Sequence, residues 1–68
     1  MKIKYSRDVD ILTLELEPDT PITDAVHIGQ TIIHLSPEQH PVLIEILQAR
    51  AFTSALVEAV MQPDHAPS

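Results

Sequence analysis

Three carboxylates are the first residues to weigh for chemistry. Asp8 and Asp10 are separated by one residue in Arg7-Asp8-Val9-Asp10, and Glu45 sits between Ile44 and Ile46. Oxygen ligands of this kind suit calcium or magnesium, so three of them brought together would hold a hard cation. The aspartate pair lacks the ligand count and the glycine of an EF-hand loop, however, and aspartates in a short polar segment bond readily to local backbone N–H groups. Turn chemistry is therefore the expectation for Asp8 and Asp10. Glu45 is the sharper case, because a charge inside an apolar run is costly unless it is paired. It reads either as a base with a raised pKa in a shallow pocket or as a group paired with Arg7, Arg50 or a backbone donor at a subunit boundary. The paired reading is preferred.

The nitrogen and hydroxyl chemistry is thinner. The four histidines are His27, His34, His40 and His65. His34 and His40 flank a turn, yet a zinc site needs three or four ligands with support behind them, and no third partner is evident. Ser6, Ser36 and Ser54 have neither a glycine elbow nor an obvious base, which argues against a nucleophilic triad. The chain has no cysteine, so thiolate zinc sites, disulfide scaffolds and cysteine nucleophiles drop out. No catalytic residue, metal or cofactor is assigned, and the chain is read as not an enzyme.

Composition narrows the partners. With four Lys+Arg against ten Asp+Glu, the net charge is −6, which disfavours duplex DNA and anionic lipid. One glycine, one tyrosine, one phenylalanine and no tryptophan leave no phosphate-cradling loop and no platform for stacking bases. No apolar run reaches the ~18 residues of a membrane span and none reads as a signal peptide, so the expectation is a cytoplasmic protein without nucleic-acid or membrane partners. At 68 residues there is room for one small domain, placed at residues 1–62 with a disordered tail over 63–68.

The elements that would position these residues follow from periodicity. Ile3 and Tyr5 alternate with Lys2 and Lys4, and Ile11 to Leu16 alternates again with Leu12, Leu14 and Leu16 on one side. Pairing Ser6 with Ile11 across the Arg7–Asp10 loop sets Tyr5 against Leu12, Ile3 against Leu14, Met1 against Leu16 and Lys2 against Glu15. A slip of one residue would turn the leucines to water, so this register is strongly specified. Glu17-Pro18-Asp19-Thr20-Pro21 is a loop, since proline removes a donor and fixes φ. Ile22 to Ile28 has no clear period and reads at most as a short extended edge, with Gly29-Gln30 as a turn or strand entry. Thr31 to Leu35 is a β-branched strand, Ser36-Pro37-Glu38-Gln39 fits a type I turn, and Val42 to Leu47 is the most apolar strand. From about Arg50 to Gln62 the period becomes helical, with Phe52, Ala55, Leu56, Ala59 and Val60 as the sheet-facing stripe. The expected fold is α+β, a four-stranded antiparallel sheet of two β-hairpins with one C-terminal helix on one face.

Two blocks of this chain resemble a prokaryotic family, domain of unknown function 2283. They are Lys4-Tyr5-Ser6-Arg7-Asp8-Val9-Asp10-Ile11-Leu12 and Ile44-Glu45-Ile46-Leu47-Gln48-Ala49. The resemblance runs from about Met1 to Ala49. Gln39 departs from it, standing where the family usually has a turn glycine, and Leu43 stands where a glycine often precedes the isoleucine. The resemblance implies a small β-rich domain and carries no activity to any residue.

The apolar surface then bears on function. One helix can cover one face of a sheet, yet Ala51, Val57 and Met61 extend the helix's apolar surface beyond its stripe, and Leu43 and Leu47 lie opposite Val42, Ile44 and Ile46 on the last strand. With Phe52 centred on the sheet, Val57 lies ~140° and Met61 about 180° away. The candidate interface is therefore Leu43, Leu47, Val57 and Met61. A chain this small buries only about 60% of its unfolded surface and needs support from disulfide, metal or assembly. The leading expectation is a non-catalytic interaction module that self-associates as a homodimer or higher homo-oligomer. The alternatives are an acidic, antitoxin-like antagonist of a small basic protein, and a small enzyme or metal-binding protein with its site at the subunit interface.

Overall fold

The computed structural model describes residues 1–61. Five strands and one helix follow in order: β1 (Lys2–Ser6), β2 (Ile11–Glu15), β3 (Asp24–Ile28), β4 (Thr31–Leu35), β5 (Pro41–Leu47) and α1 (Ala49–Met61). All strand pairs are antiparallel, and the sheet order is β1-β2-β5-β4-β3. The first hairpin has the expected register, with Ser6 opposite Ile11, Tyr5 opposite Leu12, Ile3 opposite Leu14 and Lys2 opposite Glu15. Pairing stops at Lys2, so Met1 is not part of the ladder.

The sheet has five strands rather than four. Asp24–Ile28 forms β3, an edge strand paired along its whole length with β4. Its residues have modest intrinsic strand preference, with Asp, Ala and His among the five, and pairing rather than propensity makes it a strand. The two-residue Gly29-Gln30 loop closes that hairpin. Gly29 has φ of 59° and Gln30 does not share the positive sign, the pattern of a II′ turn whose twist matches the flanking strands. β5 then enters between β2 and β4 and makes the sheet continuous. Its turn begins as the expected type I at Ser36, with the Gln39 N–H donating to the Ser36 carbonyl at 2.8 Å. Gln39 follows at φ 68° and the Ser36 N–H bonds the His40 carbonyl at 2.9 Å, giving the three-residue loop in which a left-handed residue completes the reversal.

Alternation divides the sheet into two faces. Ile3, Tyr5, Leu12, Leu14, Ile44, Ile46, Thr31, Ile33, Val26 and Ile28 share one face through register. Lys2, Lys4, Thr13, Glu15, Leu43, Glu45, Leu47, Ile32, His34 and His27 share the other. The core is very small. Among the described residues, Val42, Ile46 and Ala49 are the buried apolar ones, joined by Ser36. β2 and β4 are half-buried, while β1 and β3 are exposed throughout.

The helix begins one residue before the expected Arg50, and its predicted last residue, Gln62, lies outside the described residues, as does the proposed tail over 63–68. Its packing corrects the sequence reading. Arg50 to Met61 are all exposed, including Phe52 at 44%, Leu56 at 52% and Val60 at 73%. The stripe centred on Phe52 is therefore not the sheet-facing one. Arg50, Thr53, Ser54, Val57 and Glu58 instead look across an open groove at Tyr5 and Leu12. The reason lies at the junction. Gln48 adopts φ 51°, and the Ala49 N–H is held by the Asp10 carbonyl at 3.0 Å, so the start of the helix is anchored at the sheet edge independently of its apolar stripe.

Candidate functional site

The first chemical cluster is built around Asp10. The residue closes the β1–β2 turn at φ 56°, a left-handed conformation that aspartate tolerates better than most residues. Its Oδ1 accepts from the Tyr5 hydroxyl at 2.6 Å and from the Arg50 backbone N–H at 3.1 Å, with the Arg50 Nε at 3.5 Å. The Tyr5 hydroxyl bond holds the Asp10 carboxyl below its ordinary pKa against the opposing effect of desolvation, and the Arg50 N–H and charge add to the lowering. The same bond pushes the Tyr5 phenol up. Asp10 thus supplies two acceptors, one backbone and one side-chain, to the unsatisfied N–H groups of the helix start, forty residues away in sequence. This is a latch between the first turn and α1. Among the described residues Asp8, in the same turn, makes no side-chain hydrogen bond.

Glu45 lies on the opposite face of the sheet. Its Oε1 is 2.8 Å from His34 Nε2, in a half-buried pair that links β5 to β4. The partner is thus a histidine on the neighbouring strand, where sequence reasoning looked to Arg7, Arg50 or a backbone donor. His34 is opposite Leu43 in register and Glu45 opposite Ile32, so the contact is diagonal and invisible to a residue-by-residue count of pairs. His40 serves the turn, its backbone N–H donating to Ser36 Oγ at 3.1 Å. Asp8, Asp10 and Glu45 are not brought together, and among the described residues no group of three histidine, aspartate or glutamate side chains converges on a cation position.

The larger feature is apolar. A cavity of about 750 Å³ opens between α1 and the sheet, lined by Tyr5, Leu12, Ala49, Thr53, Ser54 and Val57, with Arg50 and Glu58 bringing the charges. Beside it Ile3 is 59% and Ile28 60% exposed, so the apolar sheet face stays open at both edges. Val57 and Met61 are exposed as the helical geometry requires, but Val57 sits on the groove side rather than away from the sheet. Leu43 and Leu47 are half-buried on the other face, beside Glu45. Sequence reasoning missed the Tyr5–Asp10–Arg50 cluster. Tyr5 and Asp10 flanking one turn were visible as neighbours, whereas nothing local tied either to Arg50.

Over residues 2–50 the chain matches a family described as "Protein of unknown function (DUF2283)". The match spans the whole sheet and the Asp10 latch and stops at the start of α1. No curated protein and no solved structure matches.

Proposed function

The chain belongs to the DUF2283 family, and from that premise we propose that it is a non-catalytic interaction module that self-associates as a homodimer through α1 and the open sheet face. One observation carries this reading: among the described residues, Val42, Ile46 and Ala49 are the apolar side chains that are fully buried, while the rest of the apolar sheet face is half-buried or exposed. Burying apolar surface yields about 25 cal/mol per Å², and ordering each residue costs on the order of 1–2 kcal/mol, so a chain with so little buried needs a second hydrophobic surface. Contiguous exposed apolar surface of this kind marks an interface rather than a solvated face. The polar clusters support the same reading, since Asp10 is engaged by Tyr5 and Arg50, and Glu45 by His34, in structural bonds.

Sedimentation equilibrium at micromolar concentration tests it. The expected mass is twice the 7.6 kDa of the chain. A single species of 7.6 kDa that still unfolds cooperatively with ordinary stability overturns the proposal.

A further inference from the structure

We infer that the two copies exchange helices, each α1 entering the groove between its partner's helix and sheet, so that the assembly stacks as sheet, helix, helix, sheet. The inference rests on the self-association proposed above and specifies its geometry.

The helix has two different faces, and among the described residues nothing covers either. Taking Val57 as reference at 100° per residue, Arg50, Thr53, Ser54 and Met61 fall within about 60° of it, and these residues, Met61 apart, line the groove. Phe52, Ala55 and Ala59 lie about 140–160° away, with Leu56 at about 100°, and point to the opposite side. A helix lying on its own sheet would satisfy one face alone. In the exchanged stack, the groove side of α1 meets the same side of its partner's helix, and the Phe52 side meets the partner's Ile3, Leu14, Ile33 and Val26. Both faces are then buried by one operation.

The groove of about 750 Å³, open along its length and lined by Tyr5, Leu12 and Val57, is the opening the partner's helix enters. The areas fit a stable dimer. A five-stranded face of five-residue strands covers about 400 Å², and each side of a 13-residue helix about 200 Å². A helix side covers only about its own footprint on that face, so each partner contributes about 600 Å², at the lower end of specific interfaces.

The charges are self-complementary. Arg50 and Glu58 are the helix's charged residues, four positions to either side of Ser54 and opposite in sign. A two-fold axis at Ser54 with antiparallel helices sets each Arg50 against the partner's Glu58 twice over, and an isologous interface requires that reciprocity. Thr53 and Ser54 are small enough to let the two helices approach closely.

The absence of cysteine makes the test direct. One protein carries Ala55→Cys on the outer side of α1, and a second carries Val26→Cys on the apolar sheet face. They are mixed, unfolded and refolded together, and treated with a short bismaleimide, with sedimentation run in parallel. A dimer giving the mixed Ala55→Cys to Val26→Cys product supports helix exchange. A dimer giving no mixed product overturns exchange and leaves self-association standing. A monomer overturns both. Ile3→Cys replaces Val26→Cys as a second sheet position, at an exposed edge where substitution leaves the small core untouched.

Discussion

The two faces of the sheet are made by the same five strands and are finished in opposite ways. On one, Lys2 stands against Glu15, Lys4 against Thr13, and His34 bonds Glu45, and these polar pairs flank the half-buried Ile11, Ile32, Leu43 and Leu47. On the other, Ile3, Tyr5, Leu12, Leu14, Ile44, Ile33, Val26 and Ile28 run from edge to edge, and α1 stands off behind a groove. The contrast separates two decisions that are often made together. Period-two alternation decides which side of a strand is apolar. Which element covers that side is decided by how the helix leaves the sheet, and here its start is anchored by Asp10 and Gln48 independently of its apolar stripe.

The hardest blow to the comparison is a charge on the groove side of α1. Replacing Val57 and Met61 together by glutamate places unpaired carboxylates between the helices, and burying an unpaired charge costs several kcal/mol. The self-association constant should fall by about 10³-fold or more while the sheet persists at lowered stability, read as halved mass in sedimentation, retained strand signal in circular dichroism and a lower melting temperature. Neighbouring residues on β4 sharpen the contrast between faces. Ile33→Gln on the apolar face should weaken association by about 30-fold or more, at ~2 kcal/mol for a lost buried side chain. Ile32→Gln on the polar face should leave the mass unchanged at the same concentration.

The latch comes next in size. Asp10→Ala should release the helix start, lowering the melting temperature and loosening α1 while the β1–β2 register holds. The pH profile follows from the depressed Asp10 pKa. Because the folded value lies below the unfolded one, the stabilisation is complete above the ordinary aspartate range and is lost as pH falls through the depressed value. Tyr5→Phe removes the main cause of the lowering, so the acid-sensitive part of its stability should be smaller and its loss complete at higher pH than in the parent protein, measured by melting temperature against pH. The raised Tyr5 pKa acts in the opposite direction: its contribution is present below the ordinary tyrosine range and disappears as pH rises through the raised value. Two smaller effects complete the series. Glu58→Arg should weaken association by about 2- to 30-fold, as two solvent-accessible ion pairs at ~0.2–1 kcal/mol each are lost. Gln39→Gly should stabilise by about 0.5–1 kcal/mol, since Gln39 is held at φ 68° and glycine takes that conformation without a Cβ clash. Its exposed bond to Asp24 is the part that would be given up.

The first hairpin was legible because three signals agree in it. The leucines, the Lys2–Glu15 pair and the length of the turn all select one register. β3 was not, because Asp24-Ala25-Val26-His27-Ile28 is short and mixes its two β-branched residues with Asp, Ala and His, and the run from Ile22 shows no clear period. Its existence depends on Gly29 and on the partner strand β4. The orientation of α1 was hidden for a different reason. The helix carries apolar residues on both sides, Phe52, Ala55 and Ala59 on one and Val57 and Met61 on the other, so periodicity alone does not single out a docking face, and the contact that chooses between them joins residues forty apart. The Glu45 partner was missed by the same blindness to diagonals, since His34 lies one strand over and out of direct register.

The central claim is that a second copy completes the core, and its most direct measure is the melting temperature at two protein concentrations 100-fold apart, with mass followed by light scattering. Folding coupled to dimer formation predicts a melting temperature that rises with concentration, because mass action favours the assembled state. A melting temperature that stays constant across that range, with a scattering mass of 7.6 kDa at both ends, would contradict it.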